Sequence, residues 1–239
     1  MSEQPGPESG ARQLALPFAH EAHFDDDFLA GEANAAALAW VARGGWPSGR
    51  LALWGEAGSG KTHLLHLWAR REGAVLLDGA AVRGPFEALA AGAGGLAVDD
   101  ADLAGEETLL HLLNAAAEAG RPVLLAARPA PARWGTGLAD LRSRLRAASA
   151  VGLGAPDDAL LRALLARLLA ERQLVVAEGV QDWLLARLPR TGAALREAAA
   201  RLDRASLGQR RGVTRALAAR VLPGMDVADA ADEPGPVLL

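Results

Sequence analysis

No cysteine occurs in the 239 residues, which excludes a disulfide framework. No apolar run approaches the roughly 20 residues of a membrane-spanning helix, and the first residues lack the apolar region of a secretory signal. These absences together lead to the expectation of a soluble, cytoplasmic protein without a membrane partner. Positive charge is also short: 25 Lys and Arg against 29 Asp and Glu leave a net charge of −4. That balance argues against a protein that coats nucleic acid by bulk electrostatics. The pairs His20/His23 and His63/His66 stand three residues apart, but no carboxylate or thiol set accompanies them, so no histidine metal site is expected. Lysine is nearly absent, since Lys61 is the only one in the chain.

That lysine sits in the stretch from Leu51 to Trp68, which reads as a buried strand, a glycine-rich turn and a helix start. The turn from Gly55 to Thr62 matches GxxxxGKT, the phosphate-binding P-loop. From average residue usage such a match arises by chance in about one chain of this length in a hundred or fewer. The pattern has a mechanism. Gly55, Gly58 and Gly60 let the backbone curl its N–H groups, with that of Ser59, around a phosphate. The helix that follows points its positive end at the same anion. Lys61 is expected on the β- and γ-phosphates of ATP or ADP, and the Thr62 hydroxyl on Mg²⁺. In a chain that uses arginine everywhere else, a compact ammonium here suits phosphate better than a planar fork.

Around this turn the chain alternates strands and helices. A strand at 74–77 ends at Asp78, a weak helix follows near 84–91, and the apolar run 94–98 ends in Asp99 and Asp100, the Walker B pattern. Asp99 is expected to hold Mg²⁺ through water and Asp100 to orient an attacking water. A helix from about 106 to 119 leads to a strand at 122–127, prolines 129 and 131 break the chain, and residues 138–146 carry Arg142, Arg144 and Arg146 before a fifth strand at 150–153. Arginines so clustered form either a solvated face or a contact to phosphate in a neighbouring subunit. Pro156 opens a helical segment, about 158–172, 180–188, 192–207 and 214–222, spaced for a small bundle that packs as a lid. Between Ala155 and Leu222 there are twelve arginines and seven carboxylates, an excess of five positive charges.

The termini read differently. Residues 1–12 are rich in Pro, Gly, Ser and Glu, and the tail after Pro223 is acidic; both are expected to be disordered. Within the leader stands Gln13-Leu14-Ala15-Leu16-Pro17-Phe18, either a peptide ligand for a hydrophobic groove or an arm that packs on its own domain. The domains expected are thus a leader 1–22, an α/β nucleotide domain 23–154 with five parallel strands, a helical lid 155–222 and a tail 223–239.

Several motifs together resemble one family. They are the 13–18 hexapeptide, Phe24, Phe28, Gly31 and Asn34 before the first helix, the P-loop with its Trp54 and His63 flanks, and Val98-Asp99-Asp100. Further on come Ala127-Arg128-Pro129, Asp140-Leu141-Arg142-Ser143-Arg144-Leu145, and in the lid Leu195-Arg196-Glu197 with Leu202-Asp203-Arg204. Over residues 13–222 the chain resembles the AAA+ replication initiator DnaA, and more closely the shortened Hda-type regulators of DnaA. The resemblance implies an AAA+ module that binds ADP or ATP with Mg²⁺. It makes Gln13, Leu14, Leu16, Pro17 and Phe18 a motif for the sliding clamp, the beta subunit of DNA polymerase III. It places Arg144 as an arginine finger acting in trans on DnaA, and Arg196 as the lid arginine that touches the nucleotide. A homo-oligomer and contact with DNA mainly through the clamp also follow from it.

Two departures bear on that expectation. Only 17 residues follow Leu222, too few for a helix-turn-helix domain, so origin recognition is not expected. Where relatives carry a polar residue ahead of Arg-Pro, this chain has Ala127, which can neither orient water nor reach a γ-phosphate. Slow hydrolysis of its own is therefore expected. The function implied is a clamp-tethered regulator that stimulates hydrolysis of DnaA-bound ATP. The alternatives are an ATP-driven loader or remodeller of replication proteins, and a nucleotide-stabilised adaptor between DnaA and the clamp.

Overall fold

The computed structural model describes residues 28–206 and 213–224, so the hexapeptide 13–18 and the acidic tail lie outside the described residues. Five strands form one parallel sheet: β1 (Arg50–Trp54), β2 (Val75–Asp78), β3 (Leu96–Asp99), β4 (Val123–Ala127) and β5 (Ser149–Gly152), in the order β2-β3-β4-β1-β5. Helices connect them: α1 (Ala35–Arg43) precedes β1, and α2 (Lys61–Glu72), α3 (Phe86–Gly92), α4 (Glu106–Glu118) and α5 (Ala139–Ala147) follow in turn. The strands read as unbroken apolar runs because both faces of the sheet are covered.

Alternation along each strand divides the core into two layers. Leu51 and Leu53 of β1, Ala97 of β3 and Leu124 and Ala126 of β4 pack with Leu64, Leu65 and Trp68 of α2 and Ala37 and Val41 of α1. Ala52, Leu96, Val98, Val123 and Leu125 face the other way, onto Phe86 of α3, Leu109, Leu112 and Leu113 of α4, and Leu141 and Leu145 of α5. In register, Arg50 of β1 lies beside Val123 of β4, and Leu51 beside Ser149 of β5. The C-terminal edge of the sheet therefore gathers Trp54, Asp99 and Ala127.

Beyond Pro156, α6 (Asp158–Glu171), α7 (Glu178–Leu185), α8 (Gly192–Ser206) and α9 (Arg215–Val221) build a core of their own. Leu161, Leu165, Leu168 and Leu169 make one stripe of α6, in one core with Leu184, Leu188, Leu195, Ala198, Leu202 and Ala218. Asp157 caps α6 by accepting the Leu160 N–H at 2.7 Å, and Thr214 caps α9 through the Leu217 N–H at 3.2 Å. The helices stand close to where their periodicity puts them, except that α7, expected at 180–188, runs from Glu178 to Leu185, with Glu178 in its first turn at the positive helix end. No helix of the described residues is long and apolar enough to cross a membrane.

A candidate nucleotide site and an outward arginine

The P-loop joins β1 to α2 at the C-terminal edge of the central strand. Gly58 and Gly60 have φ of +81° and +102°, a region that L side chains rarely adopt. A Cβ on Gly58 would lie 2.4 Å from the Thr191 methyl of the lid, and one on Gly60 would lie 3.1 Å from the Phe28 ring. The loop is thus lined by the lid on one side and by the entry segment on the other. Between them opens a cavity of about 350 Å³ bounded by Ser59, Lys61, Thr62, His63, Leu160 and Arg196 among others. Phe28 also lies 5.2 Å from the His63 ring. Asn34, only 3 % exposed, fixes this entry turn: its amide donates to the Leu29 carbonyl at 3.0 Å and its oxygen accepts the Gly31 N–H at 2.9 Å.

Lys61 is buried, and its ammonium donates to the carbonyls of Gly55 at 2.7 Å and Glu56 at 2.9 Å. Burial pulls its pKa down, opposed by the charges of Asp99 and Asp100, while Arg128 adds to the decrease. Both Walker B carboxylates therefore act on the P-loop amine. Asp99 ends β3 half-buried; Asp100 leaves the strand in a left-handed backbone, φ 45°, where the strand was expected to include it. Gly79 lies so close below that a Cβ there would meet the Asp100 carbonyl at 2.2 Å. Asp100 is held above the usual carboxylate range by desolvation and by Asp99 and Asp102, with Arg128 opposing. An exposed carboxylate with raised proton affinity suits a group that takes a proton from water.

The cradle fits a nucleotide with its cation. Positive-φ glycines, a buried ammonium, the exposed Thr62 hydroxyl and Asp99 are the P-loop donor set. The described residues hold no group of three or more His, Asp or Glu able to bind a metal without that nucleotide. Arg196 of α8 lines the same cavity, and among the described residues it makes no hydrogen bond or ion pair. Its pKa is lowered by desolvation in the cavity wall. Ala127 is buried at the end of β4 and offers no polar atom.

His63, marked in the sequence only as a flank of the P-loop, is a residue of the pocket. Burial, then Arg196 and His66, lower its pKa from 6.5 to about 4, so its ring is neutral near pH 7. Folding therefore favours the neutral form. The associated stability is complete above pH 6.5 and is lost as pH falls toward 4. An NMR titration of the ring is expected to show a midpoint near 4, and a midpoint at 6.5 would mean that the ring is not enclosed by this pocket.

Arg144 stands elsewhere. It lies in the last turn of α5, which ends at Ala147 just before β5, and β5 starts beside the N-terminal end of β1. The Ser48 hydroxyl donates to the Ala147 carbonyl at 2.8 Å, fixing this helix end to the turn that precedes β1. The P-loop begins at the opposite end of β1, about 13 Å away at ~3.3 Å per residue. Arg144 is half-buried and makes no hydrogen bond or ion pair among the described residues. Arg142 is committed: its guanidinium donates to the carbonyls of Thr136 at 3.1 Å and Gly137 at 3.3 Å. The same loop is clamped by Glu106, which accepts from Thr136 Oγ1, Gly137 N and Leu138 N. These bonds hold its carboxyl below the usual range.

No family model matches the sequence, and no curated protein matches it. Solved structures do match the fold. Domain III of the Thermotoga maritima replication initiation protein DnaA superposes with a TM-score of 0.71 at 17% identity, over 84% of this chain and 95% of that one. AMPPCP-bound DnaA from Aquifex aeolicus gives 0.59 at 18% identity, covering 71% of this chain and 61% of that one. The Thermotoga maritima RuvB Holliday junction branch migration motor gives 0.59 at 17% identity, over 72% and 60%. The chain thus spans about three-fifths of the longer DnaA and RuvB chains. Its fold is the one that these DnaA and RuvB chains share.

Proposed function

We propose that this protein is an Hda-type regulator of replication initiation, which binds ADP or ATP at its P-loop and stimulates hydrolysis of ATP held by DnaA. The observation that carries the reading is Arg144, a guanidinium without a partner among the described residues, at the end of the sheet remote from its own P-loop. A finger so placed serves a nucleotide on a neighbouring molecule. The DnaA-like fold supports a side-by-side AAA+ contact with DnaA, and Phe28, Lys61 and Arg196 around one cavity support a bound nucleotide that keeps domain and lid together. Lys61 would hold the β- and γ-phosphates, Arg196 would reach them from the lid, and Thr62 and Asp99 would hold Mg²⁺. In the reaction itself Arg144 would meet negative charge as it develops on the transferred phosphoryl group of DnaA-bound ATP.

In this reading residues 13–18 dock in the groove of the sliding clamp, so that Arg144 acts where DNA has just been copied. A short flexible tether raises local concentration to about the millimolar range. Beads carrying the clamp are expected to retain the intact protein and to release a Gln13→Ala/Leu16→Ala variant. Retention of the double variant would show that the hexapeptide is not the clamp ligand.

The loader reading demands turnover by the protein's own site, and the buried methyl of Ala127 at the end of β4 argues against it. Intrinsic ATPase is expected to stay near the uncatalysed background with or without clamp. Rapid turnover by the protein alone would move the assignment to a motor. An adaptor without catalysis would keep clamp binding and leave Arg144 dispensable.

A further inference from the structure

Arg144 has a neighbour that no motif marks. Arg50 opens β1, and strand alternation puts it on the same face as Ala52, the face covered by α4 and α5. Leu141 and Leu145 seat α5 on that face, and the helix ends beside the start of β1. Arg50 and Arg144 therefore share one corner of the sheet. The Arg50 Nε donates to the Ser48 carbonyl at 3.1 Å, while the Ser48 hydroxyl holds the Ala147 carbonyl, so turn, strand and helix end form one platform. The Nη1 of Arg50 is buried and has no hydrogen-bond partner among the described residues. Burial and the positive charge of Arg144 both lower the Arg50 pKa, and no carboxylate offsets them. Neither arginine forms an ion pair among the described residues.

Two guanidiniums in one corner, one with a buried N–H left unpaired, are unfavourable until an anion completes them. Planar forks match the oxygens of a phosphate group, and both residues are only partly buried. We propose that Arg50 and Arg144 form a single two-arginine site for a phosphate group presented from outside the molecule. That this phosphate belongs to a nucleotide held by a DnaA molecule rests on the function proposed above; the site itself does not.

The test uses the full chain and two probes. Inorganic phosphate is titrated while the Nε–Hε signals of Arg50 and Arg144 are followed by NMR, assigned by their loss in Arg50→Lys and Arg144→Lys. Both signals are expected to move with one midpoint, and in Arg50→Gln the midpoint at Arg144 is expected to rise about tenfold, with partial recovery in Arg50→Lys. Signals that stay still, or an Arg144 midpoint indifferent to Arg50→Gln, would overturn the site. Thermal melting of both Arg50 variants separates a lost contact from a lost fold, and Arg50→Lys carries the test if Arg50→Gln is unfolded.

In the second probe, conversion of DnaA-bound ATP is followed with each variant. Arg50→Gln is expected to lower the maximal rate about tenfold, with clamp retention unchanged. If Arg144→Ala abolishes conversion and Arg50→Gln leaves it intact, the nucleotide assignment of the site fails while the regulator reading stands. If the intact protein produces no conversion, the regulator reading fails and the phosphate titration alone decides the two-arginine site.

Discussion

Replacing Arg144 by Ala is expected to return hydrolysis of DnaA-bound ATP to the unaided rate of DnaA, a loss of about 10³-fold or more in the stimulated rate. Arginine fingers supplied in trans are worth roughly 10³–10⁵ in rate because they meet charge that develops only in the transition state. The same change is expected to shift stability by no more than about 0.5 kcal/mol. Arg144 makes no hydrogen bond or ion pair among the described residues, and α5 is held by Leu141 and Leu145. Arg144→Lys keeps the charge and loses the fork, so an intermediate rate is expected. Melting temperature and clamp retention are measured beside nucleotide conversion. Undiminished conversion by Arg144→Ala would remove this residue from the reaction.

The second large effect is expected at Lys61. Its ammonium is the buried positive charge beside Asp99 and Asp100, and it is satisfied by two P-loop carbonyls. In a nucleotide-bound protein those bonds are expected to give way to phosphate oxygens. Charge-assisted hydrogen bonds contribute about 1.5–3 kcal/mol each, so Lys61→Ala is expected to weaken ADP and ATP binding by at least about 100-fold. Calorimetry measures this directly. Thermal unfolding supplies a second readout, since ligand at a hundredfold excess over Kd adds about 2.7 kcal/mol to the intact protein and nothing to a variant that no longer binds. Unchanged affinity for ADP in Lys61→Ala would place the nucleotide outside the cavity between P-loop and lid.

The P-loop was legible because its mechanism is local: glycines with positive φ, a helix start and one lysine within eight residues carry the whole device. The strands were legible too, since a sheet covered on both faces needs continuous apolar runs, as at 123–127. The strand stops at Asp99, one residue short of the expected Asp100. Its side-chain type continues the Walker B pattern, but its left-handed backbone answers to Gly79 of the neighbouring strand connection, a contact that sequence spacing does not encode. Thr191 escapes for the same reason, since it meets the P-loop across more than a hundred residues of chain, whereas Phe28 was already marked by the motif ahead of the first helix. Arg142 and Arg144 look alike in a row of arginines. Only the bonds from Arg142 to Thr136 and Gly137 separate a loop brace from a free guanidinium. Arg50 gives no sequence signal at all, because its meaning depends on what α5 brings beside it.

The central claim is that this protein acts on ATP held by another AAA+ protein. It is tested most directly by loading the sliding clamp on nicked DNA, adding DnaA that carries radiolabelled ATP, and following conversion to ADP with and without the intact protein. The account predicts conversion that requires both the protein and the loaded clamp. Conversion that does not rise above that of DnaA alone, with ADP present or absent, would contradict it.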